Sequence, residues 1–228
     1  MKTINEKPNQ TRGSLKDDLM KHIYEISCLL TQSPGLDEVL NEIIDHVVTG
    51  LKYDRAIIML LNDEETKLEC RCIRGFTAKG EKRAWEKPLI LDRHDCYETR
   101  VLRSGQHLFI PDIESDPNIT DTDRAIAKHQ NRKSFLHVPL KVKDKVLGTI
   151  GVDRYPTRME IRQEEAEALA IFANQAAVII ENTRLYGEIR DQKLLFQNII
   201  ESSINGLIVS DMSGRIYELN PMAEEILG

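Results

Sequence analysis

The sequence predicts an α+β fold: an antiparallel sheet with a helical layer on one face, closed by a long C-terminal helix. Three observations lead there. Two pairs of strand-like segments are each joined by a short polar turn, which makes both pairs antiparallel hairpins. Helical spacing precedes the first pair and follows the second. The stretch between the pairs is irregular and alternates with short helical pieces, so it is expected to lie over the other face of the sheet.

Taken in order, residues 1–14 are polar, contain Pro8 and Gly13, and read as a flexible N-terminal arm. Leu15, Leu19, Ile23, Ile26 and Leu30 then mark a helix, interrupted by Ser33, Pro34 and Gly35. A second helix sets Leu36, Leu40, Ile43, Val47 and Leu51 on one side and Asp37, Glu38, Glu42 and Asp45 on the other. Residues 56–61 form a short buried strand. Residues 67–74 alternate, with Leu68, Cys70 and Cys72 on a single face. The middle holds a short helix near residues 97–103, a small strand at 107–110, and a polar helix near 122–129. Residues 134–141 and 145–153 pair around Lys143-Asp144. The long helix runs over residues 162–202, and Thr157-Arg-Met-Glu160 reads as a capping box just ahead of it.

Composition narrows the function classes. A net charge of -6 spread along the chain argues against a nucleic-acid surface. The longest apolar run, residues 56–61, is far too short to span a bilayer, and the polar N-terminus shows no secretory signal. The four cysteines, Cys28, Cys70, Cys72 and Cys96, include no Cys-x-x-Cys, so reduced thiols in a cytoplasm are expected. The chain has no Walker loop, no Gly-x-Ser-x-Gly and no His-Glu-x-x-His. Its Asp and Glu residues are dispersed over helix faces and turns and read as solvated surface.

The long helix carries two apolar stripes. Leu169, Phe172, Ala176, Ile179, Thr183 and Tyr186 form one; Ile171, Val178, Leu185, Ile189, Phe196 and Ile199 form the other. One stripe suits the domain's own sheet. The second suits the same helix of another chain, with Val178, Asn182, Leu185, Ile189 and Phe196 as the seam of a homodimer. The alternative is one amphipathic helix buried within its own chain.

Several motifs fall in a recognisable order. "SGQHLFIPDIESDPN" is followed by "SFLHVPLKVKDKVLGTIGVD" and then by "EALAIFANQAAVIIENTRLYGEI". Together they resemble the GAF family of small-molecule sensor domains over roughly residues 20–187, with the domain placed at 15–187 and its last helix at 163–202. The C-terminal stretch "NIIESSINGLIVSDMSGRIYELNPMAEEILG" is similar to the start of a PAS domain, from about residue 194, with residues 203–228 as its incomplete beginning. This pairing implies the sensory input module of a larger signalling protein such as a sensor histidine kinase. It implies a small ligand in the pocket covered by residues 88–135, relayed through a dimeric helix, and no enzyme activity in this segment.

The resemblance brings candidate ligand contacts into view: His94, Cys96, Tyr97, Phe109, Phe135, His137 and Asp153. His94 and Cys96 precede a helix, where a thiol can be acidified and act as a redox sensor or join an iron or haem site, yet one His-x-Cys supplies too few ligands and a polar loop with a half-buried thiol is the simpler reading. His137 lies on a strand bordering the expected pocket, and Asp153 ends the paired strand. Cys70 and Cys72 read as small core hydrophobes rather than a metal pair. The residues name no cofactor and no metal. The Cys-His pair of bilin-binding relatives is missing, and "NRKSF" lacks the Asp-Glu that completes a cyclic-nucleotide signature. The free-methionine-sulfoxide reductases of this family need a thiolate in the later loop, and no cysteine lies between Ile113 and Phe135. The remaining alternative is a scaffold or dimerisation module whose pocket is filled by its own side chains.

Overall fold

The protein is described from a computed structural model that places Tyr24 and residues 35–228; the expected arm, the helix over 15–30 apart from Tyr24, and Cys28 lie outside the described residues. The described chain up to Thr183 forms one compact unit and Arg184–Gly228 forms another.

Helix α1, Leu36–Asp45, follows its apolar spacing and buries Val39, Leu40, Ile43 and Ile44. The Gly35 N–H donates to Glu38 Oε2 at 3.3 Å, which supplies one of the partners a helix start lacks. A π-helical turn, His46–Gly50, continues it and buries Val47. Strands β1, Arg55–Leu61, and β2, Lys67–Arg74, form the first hairpin. Its turn is held by Asn62 Oδ1, which accepts the N–H groups of Thr66 at 2.9 Å and Lys67 at 2.8 Å. Helix α2, Ala78–Glu86, and the two-residue strand β3, Leu89–Ile90, lie in the stretch expected to be irregular, where the sequence pattern marks no element before residue 97. Helix α3 is Tyr97–Ser104, β4 is Leu108–Ile110, and α4 is Asp121–Gln130. Strands β5, Phe135–Val142, and β6, Lys145–Asp153, make the second hairpin. Lys143 in its turn takes a φ of 53°, the left-handed region such a turn requires.

The six strands order as β3-β2-β1-β6-β5-β4, all antiparallel. One face is the main core. Ala56, Ile58, Leu60, Leu136, Val138 and Ile150 pack there against α1 and against Leu169, Phe172 and Ala176 of α5, Gln163–Glu201. The α+β expectation with helices on one face therefore holds.

Two local readings are corrected. Cys70 and Cys72 do not share a face. The β1–β2 register shifts between Ile58 and Met59, so that Met59 pairs with Cys70 and Ile58 with Cys72. The extra residue, Arg71, is a bulge that inverts the alternation. Cys72 thus joins the helix-side core and Cys70 the opposite one. Burial above all pushes Cys70 up to about 12 and also raises Cys72. The α5 start is not capped by Thr157: the Arg162 N–H donates to Glu165 Oε2 at 2.7 Å, while the Thr157 N–H donates to Asp54 Oδ2 at 3.0 Å.

On α5, the stripe Leu169, Phe172, Ala176, Ile179 and Thr183 is buried, with Tyr186 exposed. Ile171, Val178, Leu185, Ile189, Phe196 and Ile199 are exposed and Asn182 is half-buried.

The second unit contains the hairpin β7, Ile208–Ser210, with β8, Ile216–Leu219, followed by α6, Pro221–Leu227. Buried Asn220 organises it. Its amide donates to the Ile200 carbonyl at 3.0 Å and the Asn205 carbonyl at 2.9 Å, and its Oδ1 accepts from Leu207 N–H at 2.7 Å and Ala223 N–H at 2.9 Å.

Candidate functional site

The sheet face turned away from α1 and α5 carries the chemistry. Helix α3 is set over it by caps on both sides. Thr99 Oγ1 accepts the Cys96 N–H at 3.1 Å, and Gly105 ends the helix with a φ of 62°. Thr120 opens α4 in a capping box with Asp123, whose other oxygen accepts the Tyr97 N–H at 2.8 Å. Asp123 also pairs with Arg100, so one carboxylate fastens α4 to α3. Burial, against several hydrogen bonds, raises its pKa.

Beneath the helices lies a buried charge cluster. Arg132 Nη1 donates to Glu98 Oε1 at 3.1 Å, and His137 Nε2 stands 3.4 Å from the same oxygen. Arg132 Nε is 3.8 Å from Asp153 Oδ2. Arg55 then grips Asp153 with two bonds of 2.7 Å and donates to the Gln130 carbonyl at 2.6 Å. Aromatic rings shelter both guanidiniums: Phe76 and Tyr155 each lie 4.7 Å from Arg55, and Phe135 lies 4.8 Å from Arg132. Two carboxylates thus balance two guanidiniums, the condition for burying charge at all.

Burial lowers His137 to about 4, with Glu98 opposing and Arg132 adding to the shift, so the ring is neutral at physiological pH. Burial alone would raise Glu98; His137 and Arg132 beside it win and hold it below the ordinary carboxylate range. The His137 ring lies flat across β6 because its cross-strand partner is Gly151. A Cβ there would stand 2.2 Å from His137 Cε1.

A cavity of about 210 Å³ opens above this cluster. Ile57 and Met59 of β1 form its base, α2 and α4 its sides, and His94, Glu98, Gln130 and Arg132 its polar lining. Three of these keep a buried polar atom without a hydrogen-bond partner: Glu98 Oε2, Gln130 Oε1 and Arg132 Nε. The Ile90 N–H stands 2.8 Å from His94 Nδ1, and the Ile90 carbonyl 3.1 Å from the same nitrogen, which fixes the ring at the cavity edge. Where the cavity meets solvent its lining is Lys79, Arg83, Lys87 and His129.

The expected contacts divide. His94 lines the cavity. His137 does not line it but touches Glu98, which does, and Tyr97 and Phe135 meet at a tilt of 54° with centroids 4.8 Å apart, also outside the lining. The Tyr97 hydroxyl donates to Asp116 Oδ2 at 2.5 Å. Cys96 is fully buried, 3.7 Å from Thr99 Oγ1. Burial first, then the Glu98 carboxylate, pushes its thiol up rather than down. Phe109 and Asp153 line a different cavity, of about 280 Å³, beside Arg154 and Tyr155. Among the described residues, no group of three His, Cys, Asp or Glu side chains is placed to hold a metal ion.

Sequence reasoning missed Glu98, Arg132, Arg55 and Gln130. The reading of the remaining Asp and Glu residues as solvated surface is corrected for Glu98 and Asp123, which are buried, as is the candidate Asp153. Only Glu98 carried a faint signal, as the acid in the first turn of a helix that turns its tyrosine inward.

A curled antiparallel sheet, two helices behind it and a polar-floored cavity in front define a pocketed α+β domain. A model of the GAF domain matches residues 35–180, and the chain belongs to that family. Among curated relatives, it is 23% identical over 194 residues to the circadian input-output histidine kinase CikA of Thermosynechococcus vestitus, covering 81% of this chain and 26% of the relative. It is 21% identical over 169 residues to the nitrogen fixation protein AnfA of Azotobacter vinelandii, covering 74% and 31%. The chain therefore spans about a quarter to a third of the length of these relatives. A solved structure of residues 122 to 287 of a methyl-accepting chemotaxis protein superposes with a TM-score of 0.60 at 26% identity, covering 71% of this chain and 98% of that one. The GAF domain of this chain is thus similar to segments of a histidine kinase and of nitrogen-fixation proteins. No helix among the described residues is long and apolar enough to cross a membrane.

Proposed function

We propose that the chain is a cytoplasmic sensory input module that binds a small molecule in the cavity over Glu98 and Arg132 and relays occupancy through α5. The observation that carries this reading is the set of buried polar atoms left without partners on the cavity lining, Glu98 Oε2, Gln130 Oε1 and Arg132 Nε. Buried polar groups are normally satisfied, and an enclosed set of orphans is what a ligand completes. The route outward is continuous. Arg132 faces Asp153, Asp153 holds Arg55, and Arg55 stacks on Tyr155. Arg154, next along, pairs with Glu165 in the first turn of α5 at 2.6 Å. A ligand that alters how Arg132 divides itself between Glu98 and Asp153 biases this chain, provided it favours one arrangement over the other.

The exposed stripe Val178, Leu185, Ile189 and Phe196, with Asn182 among them, is read as a seam for a second copy of the same helix. The hairpin and α6 of the second unit follow the strand, turn, strand, helix order with which a PAS domain opens, and we read them as that beginning. An output such as a histidine kinase would lie elsewhere in the protein. No catalytic role is proposed for this segment.

The scaffold reading draws support from the Glu98–Arg132 pair, which partly occupies the floor. Thermal melts with a metabolite library, including nucleotides, haem and ferrous iron, separate the two. A ligand at a hundred times its Kd adds about 2.7 kcal/mol of stability. A shift that vanishes in Arg132→Met supports sensing. No shift with any compound leaves the scaffold.

A further inference from the structure

The sensory reading leaves the ligand unnamed, and the cavity's electrostatics narrow it. The interior presents two acceptors and one donor: Glu98 Oε2 and Gln130 Oε1 are buried and unpartnered, Arg132 Nε lies beside them without a hydrogen bond, and Glu98 is only 4% exposed. A group carrying several N–H donors satisfies both acceptors at once. The mouth presents the opposite character. Lys79, Arg83, Lys87 and His129 line it and all are exposed. The His129 ring registers that field: Arg83 first, then slight desolvation, Lys79, Lys128 and Lys87 push it below its ordinary value. An anionic group is drawn to that rim.

The buried cluster beneath is already neutral, with Arg55 and Arg132 against Glu98 and Asp153. A lone cation or lone anion placed on it would leave an uncompensated charge; a molecule carrying both signs does not. The volume, about 210 Å³, lies below the roughly 300–1,000 Å³ of drug-sized sites. Resting on the sensory reading above, we propose that the cavity takes a small zwitterion, a free amino acid or guanidino acid. Its ammonium or guanidinium faces Glu98 Oε2 and Gln130 Oε1, and its carboxylate faces Lys79 and Arg83.

The test is calorimetric and thermal-shift binding to the whole 228-residue chain. The probes are the standard free L-amino acids and guanidinoacetate, each beside its N-acetyl derivative and its decarboxylated amine. At least one free zwitterion binds, and both acetylation and decarboxylation weaken it by about tenfold or more. Glu98→Gln weakens the same ligand comparably. The exposed double change Lys79→Ala with Arg83→Ala, which leaves the core intact, weakens it and flattens its salt dependence. An acetylated or decarboxylated form that binds within about threefold of its parent overturns the proposal without needing any variant to fold. So does a ligand of another charge type binding while every zwitterion fails, in which case sensing stands and the zwitterion alone falls. If nothing binds from any class, including nucleotides, organic acids, haem and ferrous iron, the sensory reading falls with it.

Discussion

His137 shows how one buried side chain ties pocket, sheet and pH together. It is fully buried, neutral and touching Glu98, and its pKa drops from 6.5 to about 4. Between those values the unfolded chain takes up a proton that the folded ring refuses, so stability falls as pH drops through that window. At pH 5 the expected loss is on the order of 2 kcal/mol from this residue. Glu98 adds to the fall at lower pH, because a carboxylate held below its unfolded value of 4.5 stabilises only while ionised. Urea melts from pH 7.5 to 5 measure the slope, and His137→Gln flattens it above pH 5. A slope unchanged by that substitution would assign the effect to another group. The same ring explains Gly151. Gly151→Ala puts a methyl into His137 and costs about 1–3 kcal/mol, the usual range for overpacking a core. Combining it with His137→Ala removes the clash, so the double mutant is less destabilised than the sum of the singles. Additive losses would mean that the methyl meets something else.

At the scale of elements, periodicity was a good guide wherever one face is buried and the other is not. The helix beginning at Leu36, both hairpins and the length of α5 were legible for that reason. It failed where a single residue breaks the period. The Arg71 bulge sends Cys70 and Cys72 to opposite cores, and nothing in Glu-Cys-Arg-Cys distinguishes this from plain alternation. It also failed at α2, whose mean composition is polar and which buries no residue, so no stripe announces it. The two stripes of α5 were legible, and their burial differs as the spacing requires: Phe172 is 1% exposed and Phe196 69%. If the exposed stripe is a seam between two chains, Ile189→Lys with Phe196→Lys leaves the sheet domain folded and shifts sedimentation from dimer to monomer. A wild-type chain that sediments as a monomer at high concentration removes the seam altogether.

Across the whole molecule, what the sequence concealed is long-range charge pairing. Glu98, Arg132 and Asp153 are distant in sequence and polar, and only the sheet's curvature and the α3 and α4 caps bring them together. The fold could be read from local patterns, whereas the site is a tertiary fact. The two compact units also differ in how well they can hold themselves. In the first, β1 and β6 are central strands with both faces covered. In the second, consecutive residues Ile208 and Val209 are 51% and 43% exposed, and Ile216 and Tyr217 51% and 67%, so both faces of the hairpin are open. A two-stranded hairpin alone is marginal in water, and here Asn220 supplies much of what fixes it. Hydrogen exchange should therefore be slow at the amides of Ile58 and Ile150, reporting near-global opening, and fast at Val209 and Tyr217. Asn220→Ala, which removes five hydrogen bonds at once, speeds exchange in β7 and β8 without changing β1 or β6. In a longer chain that carries the rest of the proposed PAS domain, the same hairpin amides become protected, because the added strands cover the faces now open. Hairpin amides that stay equally fast in the longer chain would mean that β7 and β8 belong to a linker, and the PAS reading would be given up.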